Sequence, residues 1–284
     1  MRVLVLGASG FIGRHLVPAL ERSGHVVLGA SLRDPVTAAS QAATCEAIVN
    51  LAGETVAQRW SSAAKARIRE SRVELPERFL EALARHERQS FVYLSASAIG
   101  YYPVDPQAAF DEETAPGDGF LARVCQDWEA TALRARDLGM RVALIRTGVA
   151  LGTDGGALAK ILPIFRAGGG GPLGSGKQWF SWIHVDDVAG IYLKALEGGE
   201  GAFNATAPNP VTNLEFTRAL AAAVGRASIV PVPSFALRLM LGEGAQAVIA
   251  SQRVVPKRTL GDLEYAFAYP ELAPALRALL GGRN

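Results

Sequence analysis

Three glycines, Gly7, Gly10 and Gly13, stand between an apolar run, Val3–Leu6, and a helical segment starting near residue 14. That spacing suits a dinucleotide. Gly7 permits a tight turn, Gly10 lets a pyrophosphate approach the backbone, and Gly13 lets helix and strand pack closely. The free N–H groups of the helix start then face the phosphates. The residues expected to hold the cofactor here are Gly7, Ser9, Gly10, Phe11, Ile12 and Gly13. After the second apolar run, Ser31 occupies the place where an NAD site carries an acid for the ribose 2′-hydroxyl, and Arg33 follows two residues later. An arginine there accommodates a 2′-phosphate, so NADP is the expected cofactor. NAD stays open because Asp34 adjoins Arg33.

Two more strand ends offer small or hydroxyl residues. Leu51, Ala52 and Gly53 form a narrow path suited to a nicotinamide ribose. Ser95 and Ser97 lie at the end of another apolar run, where a hydroxyl meets whatever binds above a sheet. Ser97 is expected to orient a substrate carbonyl or hydroxyl, and Ser95 is placed with the cofactor. The alternative is that both satisfy backbone groups of the turn.

Positioning these residues requires a parallel sheet. Apolar runs at Val3–Leu6, His25–Ala30, Ala47–Leu51, Phe91–Leu94 and Val142–Ile145 alternate with helical patterns at about 14–22, 61–86 and 121–138. This is the signature of an α/β, Rossmann-like doubly wound sheet. Only thirteen residues run from Arg33 to Cys45, enough for one crossover helix and no further strand. The sheet edge beside the second strand should therefore be trimmed. Residues 152–178 are dominated by glycine around a helix near 157–167 and read as a lid over a substrate. Asp186 or Asp187 suits the N-cap of the next helix, and helical patterns follow at 213–224, 234–250 and 270–280. The expected division is a dinucleotide-binding part over 1–150, with 179–206 returning to it. A smaller, mainly helical lid and substrate part covers 151–284.

The 284 residues carry a net charge of +2 and 49% hydrophobic residues, which favours a small-molecule substrate over nucleic acid or a membrane surface. Two distant cysteines, Cys45 and Cys125, and no leader-like segment fit a reduced, cytoplasmic protein.

The stretches Gly7–Gly13, Asn50–Gly53, Ser95–Tyr102 and His184-Val185-Asp186-Asp187 together resemble the extended short-chain dehydrogenase/reductase superfamily. Further blocks extend the likeness: Asp127-Trp128-Glu129, Arg146-Thr147-Gly148, Gly171–Gly176, Trp182-Ile183-His184, Asn204–Asn213 and Gln252–Lys257. They are similar to an atypical NAD(P)-dependent epimerase-like subgroup that ends in a domain of unknown function. The resemblance implies an NAD(P)-dependent oxidoreductase or nucleotide-sugar-epimerase-like enzyme acting on a small polar substrate, and a homodimer. It also implies a Tyr and, four residues on, a Lys that lowers the Tyr pKa. Those places fall on Leu121 (or Phe120) and Cys125 (or Val124), so the pair is missing. Tyr101, beside Ser97, is the expected proton-transfer substitute, with Tyr102 adjacent. Cys125, the Asp111-Glu112-Glu113 run, Arg146, Lys177, Trp179, Trp182 and His184 each have a site reading and a structural one. The absent pair also admits a second function, a non-catalytic NADP(H)-binding sensor or regulator.

Overall fold

The computed structural model describes residues 1–87, 90–227, 231–232, 239, 242–246 and 250–281. Six parallel strands form its central sheet: β1 (Arg2–Leu6), β2 (Val26–Ala30), β3 (Ala47–Asn50), β4 (Val92–Ala98), β6 (Arg141–Thr147) and β10 (Gly201–Ala205). Their order across the sheet is β10-β6-β4-β3-β1-β2. β1 pairs with β2 on one side and β3 on the other, so the chain reverses its winding direction at Gly7. Ligands of open α/β sheets bind at such a switch point.

Helices cover both faces, and β1 shows why. Val3 and Val5 face the cluster built by α1 (Phe11–Arg22) and α7 (Val185–Gly198). Leu4 and Leu6 face the cluster built by α2 (Pro35–Ala42), α4 (Leu75–Leu83) and α5 (Phe120–Leu133). Alternate residues of a strand point to opposite faces, and here both faces are buried. The architecture is the expected Rossmann-like, doubly wound one. The trimmed edge is present too: among the described residues β2 pairs with β1 alone, and α2 leads straight back to β3.

The segment predicted as one helix over 61–86 is α3 (Ser62–Arg69), a π-helical turn at Glu70–Glu74, and α4. Beyond β6, α6 (Gly156–Arg166) and α8 (Asn213–Ala223) pack with the terminal helix, here α10 (Leu272–Gly281), around Trp182, Phe216 and Leu220. α9 (Lys257–Gly261) precedes that last helix. Short strand pairs, unforeseen in the sequence, tie this region to the sheet. β7 (Val149–Leu151) joins β9 (Trp182–His184), β8 (Trp179–Phe180) joins β11 (Val211–Thr212), and β5 (Asp105–Phe110) joins β12 (Gln252–Val254). The helix expected over 234–250 lies mostly outside the described residues.

One capping expectation is corrected. The N-cap of α7 is His184, whose Nδ1 accepts the Asp186 N–H at 3.1 Å. The helix therefore starts at Val185, and Asp186 and Asp187 sit in its first turn, where the helix dipole favours acids. Thr212 caps α8 in a reciprocal pair with Glu215.

Candidate functional site

The glycine turn and the loop after β3 meet at the switch point. Gly7 has φ +83°, and a Cβ placed on it would approach the Ala52 nitrogen to 3.1 Å. The Leu51–Gly53 path thus lies directly against the turn. A Cβ on Gly13 would come within 2.6 Å of the Gly7 carbonyl oxygen and closer still to that of Ala8. Only glycine lets α1 sit this low on the strand. The α1 N-cap, Gly10, provides no side-chain cap, and Arg14 N–H makes the first bond back to it. The N–H groups of Phe11, Ile12 and Gly13 therefore have no intrahelical acceptor and form an anion-binding end. The exposed Ser9 lies on the same turn, and its carbonyl accepts from Arg14 Nη1.

Phe11 has a second task. Its ring packs on Gly152, Gly155 and Gly156, so that a Cβ on Gly152 would reach it at 2.7 Å. Asp154 in the same loop accepts from Arg14 (3.3 Å to Oδ2) and contacts His15 Nε2 at 3.0 Å. The start of the glycine-rich segment is thereby fastened over α1. At the end of β2, Arg33 is exposed and its guanidinium has no partner among the described residues. Asp34 is engaged instead as the N-cap of α2, accepting the Thr37 N–H at 3.2 Å; these hydrogen bonds lower its pKa.

The hydroxyls at the end of β4 turn inward. Ser95 is fully buried and donates to the Ala96 carbonyl. Ser97, 3% exposed, donates to Glu129 Oε1 at 2.6 Å. Glu129 also accepts two bonds from Arg146, Nε to Oε1 and Nη2 to Oε2, both 2.8 Å. Arg146 Nη1 donates to the Tyr102 hydroxyl at 2.9 Å, and that hydroxyl donates to Asn204 Oδ1 at 2.7 Å. The Tyr101 ring stacks on the guanidinium 3.6 Å away. Burial alone would lower the Arg146 pKa, but its bonds and charge pairing with Glu129 raise it. Burial pushes Tyr102 up to about 12, with Arg146 opposing. Of the two readings open for Arg146, the internal pair is the one formed. Ser97 and Tyr101 come together as expected neighbours, but around this pair, with the Ser97 hydroxyl already engaged.

A cavity of about 430 Å³ opens at the C-terminal ends of β4 and β6, roofed by α6 and the segment after it. Its apolar walls include Leu121, Val124, Ile161, Phe165, Phe180 and Phe216. Leu121 and Cys125, at the places of the missing Tyr and Lys, both line it; neither Ser97 nor Tyr101 does. Burial, reinforced by the Glu129 charge, pushes the Cys125 thiol up to about 12, so it is no base at neutral pH.

Arg72, unnoticed in the sequence, also lines this cavity. Arg67, Arg69 and Arg72 stand among Glu70 and Glu74, a mix of charges that does not by itself announce a cavity. Arg72 stands four residues after the buried Ile68, so the two share a face of the helix, and it lies on the π-helical turn.

The other candidates have structural partners. Glu112 is buried and accepts the N–H groups of Asn204 and Arg258, while Asp111 and Glu113 pair with Lys257. Trp182 is a packing anchor, fully buried and donating to the Asn209 carbonyl. Trp179 lines the cavity, with Arg253 over its ring, and Lys177 is exposed. His184 stacks on Tyr269, and burial holds its pKa below the ordinary 6.5, with Asp186 and Asp187 opposing and His15 assisting. The unfolded chain then takes up the proton first as pH falls. The contribution of His184 to stability is complete above pH 6.5 and is lost below it, through the folded-state pKa. His184→Asn, which keeps an acceptor for the cap, should flatten the decline in urea midpoint between about pH 7.5 and 5.5. An unchanged slope contradicts this assignment.

The parallel sheet, the glycine turn at its switch point and the roofed cavity define a Rossmann-type nucleotide-binding protein. The model of the NAD dependent epimerase/dehydratase family matches residues 3–206, and a domain of unknown function, DUF1731, matches 232–279. The chain belongs to the NAD-dependent epimerase/dehydratase family, in its branch with that C-terminal domain. Similar proteins include the Arabidopsis thaliana epimerase family protein SDR39U1 homolog, described as chloroplastic (41% identical, covering 99% of this chain and 87% of that protein). The human epimerase family protein SDR39U1 is 37% identical over 99% of this chain and all of its own length. A crystal structure of human SDR39U1 (isoform 2) with NADPH superposes with a TM-score of 0.91 at 33% identity, covering 100% of both chains. Among the described residues no helix is long and apolar enough to cross a membrane.

Proposed function

We propose that the chain binds NADP(H) at the glycine turn and serves as an oxidoreductase or epimerase on a small molecule held in the cavity. The observation that carries this reading is the exposed Arg33 at the end of β2, its guanidinium without a partner among the described residues, beside an Asp34 already engaged as a helix cap. The relative crystallised with NADPH supports it. The N–H groups of Phe11, Ile12 and Gly13 would hold the diphosphate, Ser9 and Gly10 would border it, and Leu51–Gly53 would flank the nicotinamide ribose beside the buried Ser95. NADPH, when bound, supplies a hydride, and NADP⁺ accepts one. Ser97 and Tyr101 enter as residues that hold the Glu129–Arg146 pair rigid beneath the substrate. In this reading residues 1–150 and 179–206 bind the nucleotide, the rest of 151–284 covers the substrate, and two chains pair as a homodimer.

Arg33→Ala should weaken NADPH about ten- to a hundredfold, the effect of charge-assisted hydrogen bonds to a phosphate, and leave NADH unchanged. Equal losses for both cofactors in a binding titration would refute the 2′-phosphate role. The sensor reading keeps one observation in its favour: the Tyr102 hydroxyl in the cavity wall is engaged and the family's Tyr–Lys pair is replaced. Oxidation of NADPH by any of a panel of carbonyl compounds selects the enzyme; tight binding without turnover selects the sensor.

A further inference from the structure

The cavity wall contains a half-buried cation, Arg72, with no carboxylate paired to it among the described residues. Arg72 sits on the π-helical turn Glu70–Glu74, and insertions of this kind cluster at functional sites. Its guanidinium lies against Gly53, where a Cβ would come to 3.0 Å from Nη2, and its Cζ is 5.0 Å from the centre of the Trp128 ring. Arg72 and Trp128 both line the cavity. Nη1 donates to the Glu54 carbonyl at 2.8 Å, with longer bonds to the Ile68 carbonyl (3.4 Å) and Ser71 Oγ (3.3 Å). Nε and Nη2 have no acceptor among the described residues. Among the described residues Cys125 and then Glu54 act on the group electrostatically, and the Glu54 carboxylate is turned to Gln58 (3.2 Å) and Arg67 (3.9 Å). Trp128 is 5% exposed, and its Nε1 also has no partner. Buried donors are ordinarily satisfied, and a buried charge without a counter-ion is costly. The lining is largely apolar but includes Asp118, Gln178, Asn213 and Thr217; Asp118 is not among the charges that act on Arg72. The free guanidinium N–H groups and the buried indole N–H, side by side on the chamber, suit an anion from outside the chain.

We propose that Arg72 and Trp128 anchor the anionic group, a carboxylate or phosphate, of a substrate whose remaining body is apolar. This rests on the reading that the cavity holds the substrate. The same geometry relates to the missing Lys. Arg72 interacts electrostatically with Cys125, the residue at the Lys place, so a different helix brings positive charge to that neighbourhood.

The test titrates phenylbutyrate, its neutral amide and phenyl phosphate into the full chain, with and without saturating NADPH. Wild type should bind the acid about tenfold or more tightly than the amide. Arg72→Gln should erase that preference while changing NADPH affinity less than twofold, and Arg72→Lys, which keeps the charge, should retain part of it. Circular dichroism establishes that each variant is folded. Whichever of carboxylate and phosphate binds more tightly names the anion. Equal binding of acid and amide, or no binding of either anion, overturns the proposal. So does an Arg72→Gln variant that loses NADPH instead, which would assign the guanidinium to the cofactor's own phosphates. Should NADPH fail to bind while wild type still discriminates acid from amide, the anchor stands and the cofactor reading falls.

Discussion

Replacing Arg146 with methionine should lower the unfolding free energy by about 3–5 kcal/mol, because it strands the Glu129 carboxylate in the interior. The basis is the completeness of the pairing. Arg146 is 4% exposed, both of its bonds to Glu129 are 2.8 Å long, and Ser97 adds a third bond at 2.6 Å. Arg146 also holds the Tyr102 hydroxyl and stacks on the Tyr101 ring. One substitution therefore removes the counter-ion of a buried charge, a hydrogen-bond donor and a stacking partner. Removing both charges should be milder: Arg146→Met with Glu129→Leu leaves no buried ion, so the double variant should be more stable than Arg146→Met alone. Urea unfolding of the three proteins measures this. A loss below about 1 kcal/mol for Arg146→Met, the range of exposed pairs, would show that the buried pair is not rigidly held.

The second large effect is expected at Gly13. Alanine there places a methyl group against the carbonyl oxygens of Gly7 and Ala8, the first at 2.6 Å, and backbone cannot move aside as a flexible side chain would. Helix α1 must lift away from the turn, taking the N–H groups of Phe11 and Ile12 with it. Overpacking of this kind costs about 1–3 kcal/mol, and a loss of that size in cofactor binding is roughly ten- to a hundredfold. Gly13→Ala should therefore lose most of the melting-temperature rise produced by NADPH. Gly24→Ala is the control: unlike Gly13 it has a positive φ, and a Cβ there meets nothing within 4 Å. It should be destabilised by backbone strain while still responding to NADPH. Equal responses of Gly13→Ala and wild type to NADPH would place the phosphates elsewhere.

The sheet and its trimmed edge were legible in the sequence because both rest on local patterns. Runs such as Val3–Leu6 announce buried strands, and the span from Arg33 to Cys45 is too short for another strand. The glycine turn was legible for the same reason, since its function needs small residues at fixed spacing. The cavity was not. Its wall combines residues from α3–α4, α5, α6 and β8, which no local pattern connects. Ser97 shows the limit most clearly. Its place at a strand end was foreseen, but the direction of its hydroxyl depends on Glu129, thirty-two residues away, which in turn is held by Arg146. Arg72 was missed because an arginine in a charge-rich helical segment does not announce a cavity, although it lies four residues after the buried Ile68 and on the same helix face.

The most direct test of the account is calorimetric titration of NADPH and NADH into the wild-type chain. It predicts saturable binding of one NADPH per chain, at least about tenfold tighter than NADH, as expected when Arg33 meets a 2′-phosphate. No saturable binding of NADPH, or equal affinity for the two dinucleotides, would contradict it.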